Sequence, residues 1–418
     1  MKKFCGILFA LTIITAYLFS ADESSYLITW AAYAAYLLAA MFYLTLYKGK
    51  FIIDREWMLY AAFAIFSTIS LSWAKYEHNR SVLFLFLMLA YMLISRSVFH
   101  SKDDLLLLID ANIIAGLLLS IYTPLEYGLA DYIDAMMDGM RMGREVGGEN
   151  TVGICTAMSA VMSYGMFWIR KKKRYLIFLI PLLFTCFSTG SRTSLITLIL
   201  GAIITTYLCN ENGGEKLKSI LKTLLYASIL IIGGYFLLKN VEVFHRMFER
   251  FDGLLQVFMG NEASTEGFGE HGVRNLMIRE GLKAFLESPI WGIGYENGSY
   301  LLGYLMKQET WSLHNNYVDI LCGEGLIGFS IFYGVYVSLL IKLFRRHKRG
   351  DRVSAVAIST IFLNLFGHMS GVFYPLKFFY PWMIMWIVSA NLPLEEQNDE
   401  PETENEPREE IKKYDDSL

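Results

Sequence analysis

Apolar residues in this chain do not alternate with polar ones, nor do they mark one face of a helix. They come in unbroken blocks separated by short polar stretches. A helix needs roughly 20 predominantly apolar residues to cross a bilayer. Runs of about that length cover 4–19, 27–46, 57–73, 81–99, 105–122, 151–169, 175–188, 192–209, 220–238, 316–341, 353–370 and 376–392. The pattern predicts an all-α, polytopic integral membrane protein with about twelve transmembrane helices. The seventh run is short, fit for a tilted or partly re-entrant helix.

The polar stretches alternate in basicity. One set holds Lys2 and Lys3; Lys48, Lys50 and Arg55; Arg96 and Lys102; the run Arg170 to Arg174; Lys216 and Lys218; and the cluster Lys342 to Arg349. The other set holds Asp22 and Glu23, Lys75 and Arg80, Arg141 and Arg144, Arg192, and Lys377. The first set is the more basic and alternates in register with the spans. By the positive-inside bias it is cytoplasmic, and so are both termini. Two longer polar segments then lie outside the cytoplasm: one near 123–150, and a large loop, 239–315, between spans nine and ten. The organisation expected is a transmembrane domain over 1–392 and an acidic tail over 393–418. That tail is too poor in apolar residues to fold alone, and is expected to be disordered.

Composition agrees. Of 418 residues 54% are hydrophobic and only 18% charged, with a mean hydropathy of +0.38. The net charge of −3 averages basic loops with an acidic tail and names no partner. The five cysteines, Cys5, Cys155, Cys186, Cys209 and Cys322, sit in or beside apolar runs without CxxC spacing, which argues against a disulfide framework or structural zinc. Met1-Lys2-Lys3 and the apolar run after it read as the first span, since no small-residue cleavage site follows.

Candidate chemistry gathers in three outward stretches: Arg141 to Asn150 before the sixth span, Ser188 to Ser194 opening the eighth, and Ser312 to Asn316 opening the tenth. Each precedes a helix N-terminus, where unpaired N–H groups and the positive end of the dipole favour an anion. Arg144, Arg192 and Arg274 add guanidinium forks suited to phosphate oxygens. The inference is an outward pocket for a phosphorylated or otherwise anionic ligand. Plainer roles compete. A lone arginine at a helix end commonly snorkels, the more ordinary role for Arg141 or Arg279, and N-capping is the more ordinary role for Ser188 and Asn150. His314 gains interest from standing where the large loop meets a helix that still carries Asp319 and Glu324. Asp319 shares a helix face with Asn315, and Glu324 is divided between pairing with an arginine and a functional role. Arg274 to Leu286 reads as an amphipathic helix ended by the Ser288-Pro289-Ile290-Trp291-Gly292-Ile293-Gly294 turn. There is no phosphate-binding Gly-rich loop of the ATPase kind, no zinc spacing, and no Asp-x-Asp pair in the outer loops. The expected site uses no metal and no cofactor, with arginines neutralising charge.

Three motifs occur in order: Ser191-Arg192 entering a span, Arg274 leading to Pro289, Gly292 and Gly294, and His314-Asn315 followed by Tyr317, Leu321, Gly325 and Gly328. With the looser Arg141–Asn150 element, this combination resembles the O-antigen ligase and O-antigen polymerase (Wzy-type) superfamily of membrane glycosyltransferases, over roughly residues 141–330. The resemblance implies transfer of a glycan from undecaprenyl diphosphate to an acceptor sugar hydroxyl, at the outer face of the bacterial cytoplasmic membrane, with inversion. It implies His314 as general base, Arg192 and Arg274 on the diphosphate, and Arg141, Arg144, Ser191 and Asn315 in substrate binding. Implied partners are the lipid-linked donor, a glycan or lipid-linked glycan acceptor, membrane lipids and other polysaccharide-assembly proteins, with no nucleic acid. The motifs do not separate polymerase from ligase; the wider occurrence of surface-polysaccharide polymerases favours polymerase. Two alternatives stand beside this reading: a transporter or flippase of lipid-linked or anionic substrates, and a glycosyltransferase whose base is Asp22 or Glu23.

Overall fold

The computed structural model describes residues 1–19, 26–76, 82–210, 217–223, 225, 270–307 and 312–393. Asp22 and Glu23, most of the ninth expected span, residues 239–269 and 308–311 of the large loop and the tail from 394 lie outside the described residues. Regular structure among the described residues is helical throughout. In chain order the helices are α1 (Lys2–Leu18), α2 (Tyr26–Leu46), α3 (Arg55–Ser70), α4 (Leu83–Val98), α5 (Lys102–Tyr127), α6 (Leu129–Met137), α7 (Glu149–Arg170), α8 (Arg174–Ser188), α9 (Arg192–Cys209), α10 (Glu270–Glu287), α11 (Asn297–Met306), α12 (Asn316–Lys348), α13 (Ser354–Gly367) and α14 (Phe379–Asn391). A helix occupies each of the other eleven expected spans. By length and composition, α2, α5, α7, α9 and α12 can cross a membrane, and α4, α8 and α13 are shorter apolar helices.

Sequence explains the placement of the central helices. Every residue of α14 from Phe379 to Ala390 is buried. A helix apolar all round belongs inside a bundle, and α14 packs against α4, α5, α12 and α13. α7, lined by small residues such as Gly153, Ala157 and Ala160, is likewise enclosed by α5, α8, α9 and α13. Small side chains let backbones approach closely, which is how helices associate in lipid.

One end of the bundle is tied by ion pairs. Lys2 meets Asp104 at 2.7 Å, Arg96 meets Asp54 at 2.5 Å, Arg170 meets Asp110 at 3.1 Å, and Arg346 meets Asp351 at 2.8 Å. The buried Glu56 accepts from Ser338 (2.5 Å), Lys342 (3.0 Å) and Asn391 (3.1 Å). This is the basic end. A capping box at Ser101 and Asp104 starts α5 there.

α12 is broken. Gly325 takes φ 61°, ψ −163°, so the helix stops and restarts. A break inside a bundle strands carbonyls on one side and N–H groups on the other. The 288–294 turn satisfies both. Ile293 N donates to Cys322 O and Gly294 N to Gly323 O, each at 2.9 Å. From the restarted half, Leu326 N donates to Pro289 O at 2.9 Å and Ile327 N to Ile290 O at 3.3 Å. Such contact leaves no room for a side chain: a Cβ on Gly292 would lie 2.1 Å from Gly323 O. Glu324, fully buried beside the break, forms no ion pair with an arginine among the described residues.

Candidate functional site

At the end of the bundle opposite the ion pairs, α7, α9 and α12 all begin, at Glu149, Arg192 and Asn316. A cavity of about 330 Å³ opens where they meet. Gly147 to Thr151, Thr193, Ser312, His314 and the segment Ser370 to Phe373 with Leu376 and Phe378 form its wall. The three polar stretches, far apart in sequence, therefore converge.

Local chemistry holds each in place. The 141–150 segment turns on glycines with positive φ: Gly143 at 104°, Gly147 at 149° and Gly148 at 94°. Arg141 staples it to the second stretch. Its Nε donates to Thr189 O at 2.9 Å and its Nη2 to Asn150 Oδ1 at 3.0 Å. From α6, Tyr132 donates to Ser188 Oγ at 2.6 Å; burial pushes this phenol up to about 12, so it keeps its proton. Two expected capping roles change. The N-cap of α7 is Gly148, and Asn150 sits in the first turn, committed to Arg141. Ser188 is the last residue of α8, its hydroxyl donating to Thr185 O. The glycines let the backbone enter α7 earlier than a polar cap would require.

Ser191 is the N-cap of α9. It is buried, and its oxygen accepts from Ser194 N at 3.4 Å and from Ser194 Oγ at 2.9 Å. Arg192 follows as the first helical residue, beside the cavity residue Thr193. Arg144 is exposed, and its backbone N donates to Tyr127 at 3.0 Å.

His314 has φ 50°, in the left-handed region where a residue with Cβ is strained. Ser312 Oγ accepts its backbone N–H at 3.1 Å, closing the turn that carries it. Asn315 caps α12 through Val318 N (3.1 Å) and donates to Met369 O (3.3 Å). Behind it Asn316, fully buried, donates to Tyr333 (3.0 Å) and accepts from Phe373 N (2.9 Å), while its own N–H donates to His368 O (2.8 Å). Tyr333 and Tyr336 contact the two ring nitrogens of the buried His368 at 3.2 and 3.4 Å. Asp319 accepts from Tyr374 at 2.8 Å. Arg274 does not line the cavity. It lies in α10 one turn before Met277, which is buried with Leu313, the neighbour of His314.

The 368–378 segment and Asn316 supply much of the wall and its support; sequence reasoning reached Asn316 only as the end of the Ser312–Asn316 stretch and did not single out 368–378. The available clue was a histidine, His368, and the aromatics Phe373, Tyr374, Phe378, Phe379 and Tyr380, preceded by Gly371 and interrupted by Pro375, where the last two spans meet.

Residues 175–333 match the family model described as O-antigen ligase (Wzy_C). This chain carries a domain of the O-antigen ligase/polymerase-type family. The O-antigen ligase domain runs from the start of α8 into the second half of α12. It contains Ser191, Arg192, Arg274, His314 and Asn315, whereas the 141–150 and 368–378 walls lie outside it. A comparison with curated proteins finds no match. Family and apolar helices together indicate a multi-pass membrane protein with glycosyltransferase-like activity and lipid-linked glycan substrates.

Proposed function

We propose that the protein is a surface-polysaccharide polymerase or ligase that transfers a glycan from undecaprenyl diphosphate to an acceptor sugar hydroxyl at the outer face of the bacterial cytoplasmic membrane. The observation that carries this is the cavity where His314 meets the N-termini of α7 and α9, lined by Thr193, the residue that follows Arg192. His314 takes the proton of the acceptor hydroxyl. That oxygen attacks the anomeric carbon of the donor from the face opposite the leaving group, giving inversion. The bond from the anomeric carbon to phosphate oxygen breaks, and its electron pair leaves with undecaprenyl diphosphate. Arg192 and Arg274, helped by Arg141 and Arg144, neutralise the charge on the leaving group without a metal, and helix dipoles add to the field. Ser191 and Asn315 fix the two helix ends that present these groups.

The test is complementation of a deletion strain. Arg192→Ala, Arg274→Ala and His314→Ala should each abolish polymer while protein remains in the membrane. Wild-type polymer length and yield from all three would defeat the reading. Glycan analysis of the deletion strain separates the two activities: single repeats on the acceptor indicate a polymerase, and full-length polymer left on the lipid carrier indicates a ligase.

A further inference from the structure

The cavity wall is poorly made for a diphosphate. Lysine and arginine are absent from its lining among the described residues, and its one carboxylate is Glu149. Two of the cations nearby are engaged elsewhere, Arg141 with Thr189 and Asn150, and Lys377 with its ammonium 5.3 Å from the centre of the Trp30 ring, while Arg192 precedes the lining residue Thr193 without lining the cavity itself. A dianion brought here would meet a carboxylate at close range in a partly desolvated space, where like charges repel most. The wall instead sets Thr151, Thr193, Ser312 and Ser370, which bear hydroxyls, and His314 beside Val372, Phe373 and Leu376, with Phe378 packed behind on Tyr17 and Trp382. Pyranose rings ask for that combination. Their C–H faces pack on aromatics, and their hydroxyls need donors and acceptors around the rim. Its volume of about 330 Å³ is at the small end for ligand pockets, suited to one sugar rather than a chain. A Cβ on Gly148 would meet nothing within 4 Å, so open space continues beside the carboxylate.

We propose that this cavity is a monosaccharide subsite that selects neutral or amino sugars and rejects acidic ones, with Glu149 setting the preference. This rests on the glycosyl-transfer reading and divides its labour: the sugar ring sits in the cavity, and the diphosphate stays outside on the arginines. Glu149 opens α7, where the helix dipole favours a carboxylate. It accepts from hydroxyls or from an ammonium, and it repels a uronate.

The experiment uses full-length protein in nanodiscs and saturation-transfer NMR with the methyl glycosides of N-acetylglucosamine, glucosamine and glucuronic acid. Wild type should bind the glucuronide about tenfold more weakly than the neutral glycoside, the effect of one partly screened charge pair. Glu149→Asp should keep that gap, and Glu149→Gln should shrink it to about threefold or less. Ser370→Lys, which puts a cation in the same wall, should favour the glucuronide whether or not the Glu149 variants fold. Phe373→Ala should weaken all three glycosides alike. Equal binding of all three by wild type, a gap unchanged in Glu149→Gln, no shift in Ser370→Lys, or no glycoside bound by folded wild type would overturn the proposal. The transfer reading is tested apart from this. If selectivity holds and His314→Ala still makes normal polymer, the subsite stands and the mechanism falls.

Discussion

Asn316 shows what a single buried side chain does for the site. Its amide joins the start of α12 to Tyr333 and to the Phe373 backbone, and its N–H reaches His368 O. The cavity wall from the last loop and the turn carrying His314 are therefore joined through this residue, beside the bond from Asn315 to Met369 O. Asn316→Ala removes two buried bonds and leaves Phe373 N–H without a partner, a cost of about 2–4 kcal/mol. It should lower the thermal midpoint of the detergent-purified protein and reduce polymer yield. A midpoint equal to wild type would show that the network is slack. Tyr132→Phe offers a milder case. It loses one bond to Ser188, worth about 1 kcal/mol. Because the folded phenol is raised, to about 12, its contribution is complete below the ordinary tyrosine value near 10 and fades only as pH climbs through about 12. The gap in melting temperature between wild type and Tyr132→Phe should thus be the same at pH 7 and pH 9, and a gap that closes by pH 9 would contradict the burial of the phenol. Residues such as Arg192 and His314 were legible because polar groups at the mouth of apolar runs are costly and conspicuous. Asn316 and the Phe373 region were not, since an amide within a cap sequence and aromatics within an apolar run look ordinary until long-range folding joins them.

At the scale of elements, the broken α12 is the feature that organises the outer half. The Pro289–Gly294 turn was readable as the end of α10, because proline and glycines stop a helix. Its second role was hidden: it caps both sides of a break thirty-odd positions later, and the glycines at 323, 325 and 328 mark a weak point in the span without saying what docks there. The two features depend on each other through backbone bonds rather than side chains. Gly292 has φ 70° and a Cβ position 2.1 Å from Gly323 O; Gly325 has φ 61° and a Cβ position 2.5 Å from Ile290 O. Gly292→Ala and Gly325→Ala should each cost about 3 kcal/mol or more, from unfavourable φ and forced separation of two backbones. Fluorescence-detected size exclusion after a heating series would read this as early loss of the monodisperse peak. Gly350→Ala is the control, since Gly350 also has positive φ, 87°, but a Cβ there meets nothing within 4 Å. It should cost only the about 1–2 kcal/mol of the backbone conformation. Equal losses in all three would mean that φ, not the docking of turn on break, sets the stability.

For the whole molecule, the helices sort polar groups by end. Lys2–Asp104, Arg96–Asp54, Glu56–Lys342 and Arg346–Asp351 tie one end, and the cavity with His314 occupies the other. Hydropathy blocks and the lysine and arginine bias anticipated this separation, because each follows from the cost of placing charge in lipid and needs no tertiary contact. The ninth expected span falls outside the described residues, so orientation is best tested on both sides of it. Asp138, exposed in the turn after α6, is expected outside the cytoplasm, and Lys348, exposed at the end of α12, inside. Cys5, Cys155, Cys186 and Cys322 are buried and Cys209 is half-buried, so a membrane-impermeant maleimide meets little native background, and a Cys209→Ser parent removes most of that. In intact spheroplasts Asp138→Cys should label and Lys348→Cys should not, and permeabilisation should expose Lys348→Cys. The span count enters directly: Asp138 precedes the ninth span and Lys348 follows it, so a missing ninth span would put both cysteines on the same side of the membrane. Labelling of both, or of neither, before permeabilisation would therefore remove the twelve-span arrangement. Labelling of Lys348→Cys alone would instead invert the protein and put the cavity in the cytoplasm, where a site for extracytoplasmic polymer assembly has no use.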